Sequence, residues 1–166
     1  LNAAIELSNQ TKAQGVELRH AVIVGAMGGT ASGFAYGASL LERPFHVHVV
    51  SVEYPEDELG SRMNRLFCGL RRLTGTEPLH DPWEITTIHD GYMGGGYGLP
   101  TLESQSAQET LALEEGIFLE NVYMSKTTAG LIGLVQTGVI PKGESTCVIH
   151  TGGMAALFAQ STGRPL

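Results

Sequence analysis

Four short apolar runs punctuate the chain, and stretches of helical length lie between them. The runs are "HAVIVG" (20–25), "PFHVHVVSV" (44–52), residues 85–89 and "STCVIH" (145–150). The first is short and β-branched, as a strand buried on both faces of a sheet should be, and the others read as strands beside it. Apolar residues recur at helical spacing in 1–13, with Gly15 placed to stop that helix. A helix is predicted after Thr30, where Ala and Gly permit close packing on a sheet. Another is predicted over 56–73, with Asp57 and Glu58 at its start and Arg71 and Arg72 at its end, which suits the helix dipole. Residues 101–115 read as one helix capped by Thr101 and stopped by Gly116. Residues 125–137 follow as a helix ended by Gly138, and "MAALFAQ" forms a short terminal helix. Residues 90–100, "DGYMGGGYGLP", are too rich in glycine for regular structure.

This order of helix, then strand and helix repeated, carries no hairpin signal. It predicts an α/β fold with a doubly wound, mostly parallel sheet in a single domain spanning 1–166. In such sheets ligands collect beyond the carboxyl ends of the strands. Glycine-bearing loops at 25–30, 91–98 and 151–153 leave strands at that edge.

Composition narrows the function classes. The 166 residues are 42% hydrophobic, enough for the core of one domain. A net charge of -7, with Lys and Arg scattered singly, argues against a nucleic-acid surface, which needs clustered cations. The apolar runs are too short to span a bilayer. Cys68 and Cys147 are too few for a disulfide framework and read as reduced core thiols, so a cytoplasmic setting is expected. The chain starts with Leu1 rather than methionine, so a piece of a longer protein is expected.

The loop "GAMGGTASG" (25–33) follows a strand and opens a helix, where backbone amides and the helix dipole favour an anion. It is not a mononucleotide P-loop, because no Lys follows in the form GK[ST], and it departs from G-x-G-x-x-G at Met27 and Thr30. Glu53, 20 residues beyond Gly33, keeps open a nucleotide-binding reading in which it holds a ribose. His46 and His48 alternate on one strand face, but no third ligand stands at metal spacing, so no metal is predicted. His20, His80, His89 and His150 read as dispersed, with His150 packed against the sheet.

Taken together, residues 25–33, "GGGYGLP" (94–100), "NVYMSKTTAGLI" (121–132) and "IHTGGMAALFA" (149–159) change the picture. In order and spacing they resemble the pyridoxal-phosphate enzymes of fold type II, the tryptophan-synthase β-like fold. The branch resembled contains D-cysteine desulfhydrase, cysteate sulfo-lyase and 1-aminocyclopropane-1-carboxylate deaminase. The likeness covers nearly the whole chain and implies its C-terminal, large-domain half, incomplete without an N-terminal half. The resemblance implies that Ala26, Met27, Gly28 and Gly29 give amides, and Thr30 a hydroxyl, to the phosphate of pyridoxal 5'-phosphate. Met27 stands where the family usually has Ser or Thr, so one side-chain hydrogen bond is missing.

The resemblance also makes Tyr97 and Tyr123 the two tyrosines flanking the reacting substrate. It makes Thr151 the hydroxyl that meets the pyridine nitrogen; from the residues alone, Thr151 could equally be a helix N-cap. The deaminase carries a glutamate just after the second tyrosine, where this chain has Met124. Met124 with Thr151 therefore favours β-elimination from a sulfur-containing amino acid over ring-opening deamination. The family's Schiff-base lysine lies in the N-terminal half. Lys12, Lys126 and Lys142 are not its counterparts, and Lys126 reads as solvated or dipole-balancing. The expected partners are that N-terminal half, as a separate chain or a missing segment, a small amino-acid substrate, and further copies in a homo- or hetero-oligomer. Alternatives left open are a deaminase-like half, a nicotinamide-dinucleotide domain using Glu53, and a non-catalytic assembly module.

Overall fold

The computed structural model describes residues 1–161. The predicted alternation is present: α1 (Asn2–Ala13), β1 (His20–Gly25), α2 (Gly29–Ser39), β2 (His46–Ser51), α3 (Glu56–Thr74) and β3 (Thr86–His89) come first. They are followed by α4 (Leu102–Thr110), α5 (Met124–Gln136), β4 (Thr146–Val148) and α6 (Met154–Ser161). The sheet is wholly parallel in the order β3-β2-β1-β4. The chain thus steps outward from β1 to β3, then crosses back to lay β4 on the other side of β1. The carboxyl ends of β1 and β4 flank the point where the winding reverses, the place where open α/β sheets leave a crevice.

Helices cover both faces. Ala21, Ile23, Val47 and Val49 meet Phe34 and Ala35 of α2 and Leu59 and Met63 of α3 in the larger core. Val22 and Val50, pointing the other way, pack with Leu134 of α5 and Ile140. The period-2 alternation of a strand and burial on both faces account for the unbroken apolar runs of β1 and β2. A Cβ at Gly130 would reach within 3.3 Å of three Val50 side-chain atoms, so α5 lies directly on the sheet.

Two details depart from the sequence reading. The helix expected over 101–115 is α only as far as Thr110; residues Leu111–Glu115 form a π turn that ends at Gly116. Its start is as expected, because Thr101 and Ser104 form a reciprocal capping box. Cys68 is exposed rather than a core thiol, whereas Cys147 is half-buried. Among the described residues no helix is long and apolar enough to cross a membrane.

Candidate functional site

The loop from β1 to α2 begins with a glycine required by packing. A Cβ at Gly25 would lie 2.6 Å from Val49 and 2.8 Å from Leu59. Gly28 is the N-cap of α2 with φ 88°, a left-handed conformation that costs an L-residue about 1–2 kcal/mol. Gly29 has neither reason: its φ is ordinary, and a Cβ there would meet nothing within 4 Å. The space in front of Gly29 is open, Thr30 beside it is exposed, and the first amides of α2 have no intrahelical acceptor. That arrangement fits an anionic group approaching the backbone. Met27 is 59% exposed, and its sulfur accepts from the Tyr54 hydroxyl at 3.4 Å. The Arg62 guanidinium stacks over the Tyr54 ring at 4.0 Å.

Tyr97 and Tyr123, 26 residues apart in sequence, meet through their hydroxyls, with ring centroids 5.8 Å apart and the planes at 66°. The hydrogen bond to Tyr123 is the main reason the Tyr97 phenol is pushed up to about 12; burial and the charges of Glu53 and Glu120 add to it. Tyr123 is itself held by Glu120, a residue the sequence reading passed over. This buried carboxylate accepts from the amides of Val122 at 2.6 Å, Tyr123 at 3.0 and 3.1 Å, and Met124 at 2.7 Å. An acid just ahead of a predicted helix was the available signal. Gly153 presses on the same side chain, leaving no room for a Cβ.

Thr151 donates from both its amide and its hydroxyl to the Met124 sulfur, at 3.5 and 3.6 Å. The two positions that sequence comparison tied together are therefore neighbours. Helix α6 begins only at Met154, so Thr151 is not its N-cap. Two groups of contacts involve the predicted positions. Met27 accepts from Tyr54 on one side; on the other, Tyr97 bonds Tyr123, and Glu120 bonds Tyr123 and lies against Gly153, next to the Thr151–Met124 pair.

Three sequence readings are corrected. Lys126 is wholly buried, not solvated, and its ammonium donates to the carbonyls of Met93 at 2.6 Å and Gly96 at 2.8 Å. Burial lowers its pKa. His150 is exposed rather than packed on the sheet, its Nδ1 accepting from the Gly152 amide at 3.2 Å. Three histidines read as dispersed or paired only with His46 form one row. Parallel register sets His20 Nδ1 3.0 Å from His48 Nε2, and His48 Nδ1 3.0 Å from His89 Nε2; His20 Nε2 lies 2.6 Å from Glu144. Glu144 accepts from the His20 Nε2–H, and each following ring then donates through Nε2 and accepts through Nδ1. Burial, with the neighbouring His46, His89 and His20, lowers the His48 pKa to about 3. Among the described residues no group of three or more His, Cys, Asp or Glu side chains could hold a metal ion.

No family model matches the chain. It is 31% identical over 163 residues to a provisionally named 1-aminocyclopropane-1-carboxylate deaminase of Thermotoga maritima, covering 96% of this chain and 48% of that protein. It is 32% identical over 160 residues to a D-cysteine desulfhydrase of Yersinia pestis, covering 96% of this chain and 47% of that enzyme. A crystal structure described as an ACC deaminase homologue superposes with a TM-score of 0.82 at 26% identity, over 98% of this chain and 47% of that one. The chain spans about half the length of the curated relatives it matches. These relatives bear the names of a deaminase and a desulfhydrase, which favours that reading over a nicotinamide-dinucleotide domain. By sequence and by fold together, the chain is similar over nearly its whole length to about half of proteins named D-cysteine desulfhydrase and 1-aminocyclopropane-1-carboxylate deaminase.

Proposed function

We propose that the chain is the C-terminal, cofactor-phosphate-binding half of a pyridoxal-phosphate-dependent lyase. The complete enzyme cleaves the carbon–sulfur bond of a cysteine-like amino acid by α,β-elimination. The observation that carries the reading is Gly29: it needs glycine for neither packing nor backbone conformation, and it faces open space at the amino end of α2, beside the exposed Thr30. The amides of Ala26, Met27, Gly28 and Gly29 and the Thr30 hydroxyl would hold the phosphate there, and Thr151 would meet the ring nitrogen. When bound, the cofactor supplies an electron sink for the pair left behind when the substrate's α-proton departs.

The chain's own groups then divide the work. One phenol of the Tyr97–Tyr123 pair donates to the other, so the accepting oxygen keeps its own proton free for a substrate carboxylate or a departing thiolate. With its pKa pushed up to about 12, Tyr97 acts as a proton donor rather than a resting base. A neutral Thr151 hydroxyl at the ring nitrogen suits a substrate whose β-substituent leaves readily, and Met124 beside it offers no carboxylate. The lysine that tethers the cofactor would come from the N-terminal half.

Fluorescence titration with pyridoxal 5'-phosphate tests this directly. Thr30→Ala should weaken binding about tenfold, the loss of one hydrogen bond to a charged acceptor, and Gly29→Asp should abolish it by placing a carboxylate in the phosphate position. Combined with its N-terminal half the chain should release sulfide and pyruvate from a cysteine isomer, and alone it should not turn over. Binding unaffected by either substitution would refute the placement.

A further inference from the structure

Residues 90–100 carry Tyr97 between β3 and α4, and little in the loop itself explains why it holds one path. Five of the eight residues in 91–98 are glycine, with positive φ at Gly94, Gly96 and Gly98, so ordering the segment is entropically expensive. No side chain from 91 to 100 is fully buried, although Tyr92 packs, partly buried, against the smaller core. Its internal turns close on long bonds, Met93 N–H to Asp90 at 3.4 Å and Leu99 N–H to Gly96 at 3.3 Å.

Besides the bond of Asp90 to the Glu56 amide and that between the two phenols, the short bonds come from Lys126. Its side chain is fully buried, and among the described residues it pairs with no carboxylate; both of its hydrogen bonds go to this loop. Burying an ammonium without a counter-ion costs more than burying an alkyl chain of the same length, so packing alone does not account for a lysine here. Tyr123 and Lys126 stand three residues apart at the start of α5, hence on one face of its first turn. Gly96, whose carbonyl Lys126 holds, immediately precedes Tyr97. A closed ring results: Tyr123 to Lys126 along the helix, Lys126 to Gly96, Gly96 to Tyr97, and Tyr97 back to Tyr123 through the two hydroxyls.

We propose that Lys126 is a positioning residue, which fixes the Tyr97 loop to the first turn of α5 and thereby sets the pairing of the two phenols. The role rests on the reading of those phenols as catalytic, but the pairing can be measured without cofactor or turnover.

The test uses the full-length protein with Lys126→Met, which removes the donors but keeps the length, and Lys126→Arg, which keeps cation and donors. Ultraviolet titration of the Tyr97 phenol should fall from about 12 in the parent toward the ordinary tyrosine range, near 10, in Lys126→Met, and Lys126→Arg should restore it. Amide exchange in 93–98 should rise about tenfold or more in Lys126→Met, while β1 and β2 keep their protection. Cofactor affinity should stay within about twofold of the parent's, because the 26–30 loop is untouched. A parent that binds no cofactor would end the functional reading and leave this measurement standing. A Tyr97 titration and loop exchange unchanged in Lys126→Met would overturn the role of Lys126. In the unsubstituted protein, amides of 97–98 and of 123–127 should open with one shared free energy; independent opening would overturn the proposal even if Lys126→Met did not fold.

Discussion

Acid should destabilise this fold through His48, and the size of the effect follows from where that ring sits. The side chain is buried in the middle of the histidine row, with its pKa lowered to about 3 by burial and by the surrounding histidines. Unfolded, it would titrate near 6.5. The native state therefore refuses a proton that the unfolded chain accepts. Stability from this group is complete above about pH 6.5 and declines as the pH falls toward about 3. At about pH 5 the loss is about 2 kcal/mol, a figure governed by the unfolded value alone as long as the folded value stays well below the working pH. His46 and His89, also lowered chiefly by burial, act in the same direction. Denaturant unfolding followed by circular dichroism at about pH 7 and about pH 5 measures the drop. His48→Gln keeps a donor and an acceptor but does not titrate, so its drop should be smaller by about 2 kcal/mol. Parallel losses in parent and variant would refute the neutral, buried row.

Other expectations test the site's supports. Gly28→Ala should cost about 1–2 kcal/mol, because the position is left-handed, and should weaken cofactor binding; thermal unfolding and fluorescence titration read the two effects. Glu120→Ala strands three amides at the start of α5 and should cost about 2–3 kcal/mol in denaturant unfolding, with the Tyr97 titration shifting back toward the ordinary range. With its thiol raised by burial to about 11, Cys147 should react with a thiol reagent far more slowly than the exposed Cys68, and mass spectrometry of the labelled protein distinguishes them.

Local periodicity along the chain encodes the secondary structure and its order. Unbroken β-branched runs marked strands buried on both faces, helical spacing marked the connections, and the parallel winding followed from the lack of hairpin turns. The glycine loop, the two tyrosines and Thr151 could be singled out as candidates because their motifs are contiguous stretches of chain. Whatever depends on residues meeting across long separations emerges only on folding. Lys126 sits in the polar string "SKTT" and reads as solvent-facing; only the loop carbonyls 30 and 33 residues away make it a buried anchor. His20, His48 and His89 became neighbours through parallel register, which places side chains 28 and 41 positions apart within hydrogen-bonding distance. Cys68, flanked by apolar residues, turned outward because an amphipathic helix buries one stripe, and that stripe in α3 runs through Leu59, Met63 and Phe67. Hydrophobic pattern dictates which face of an element is covered, but the partner that covers it is chosen by the winding of the whole chain.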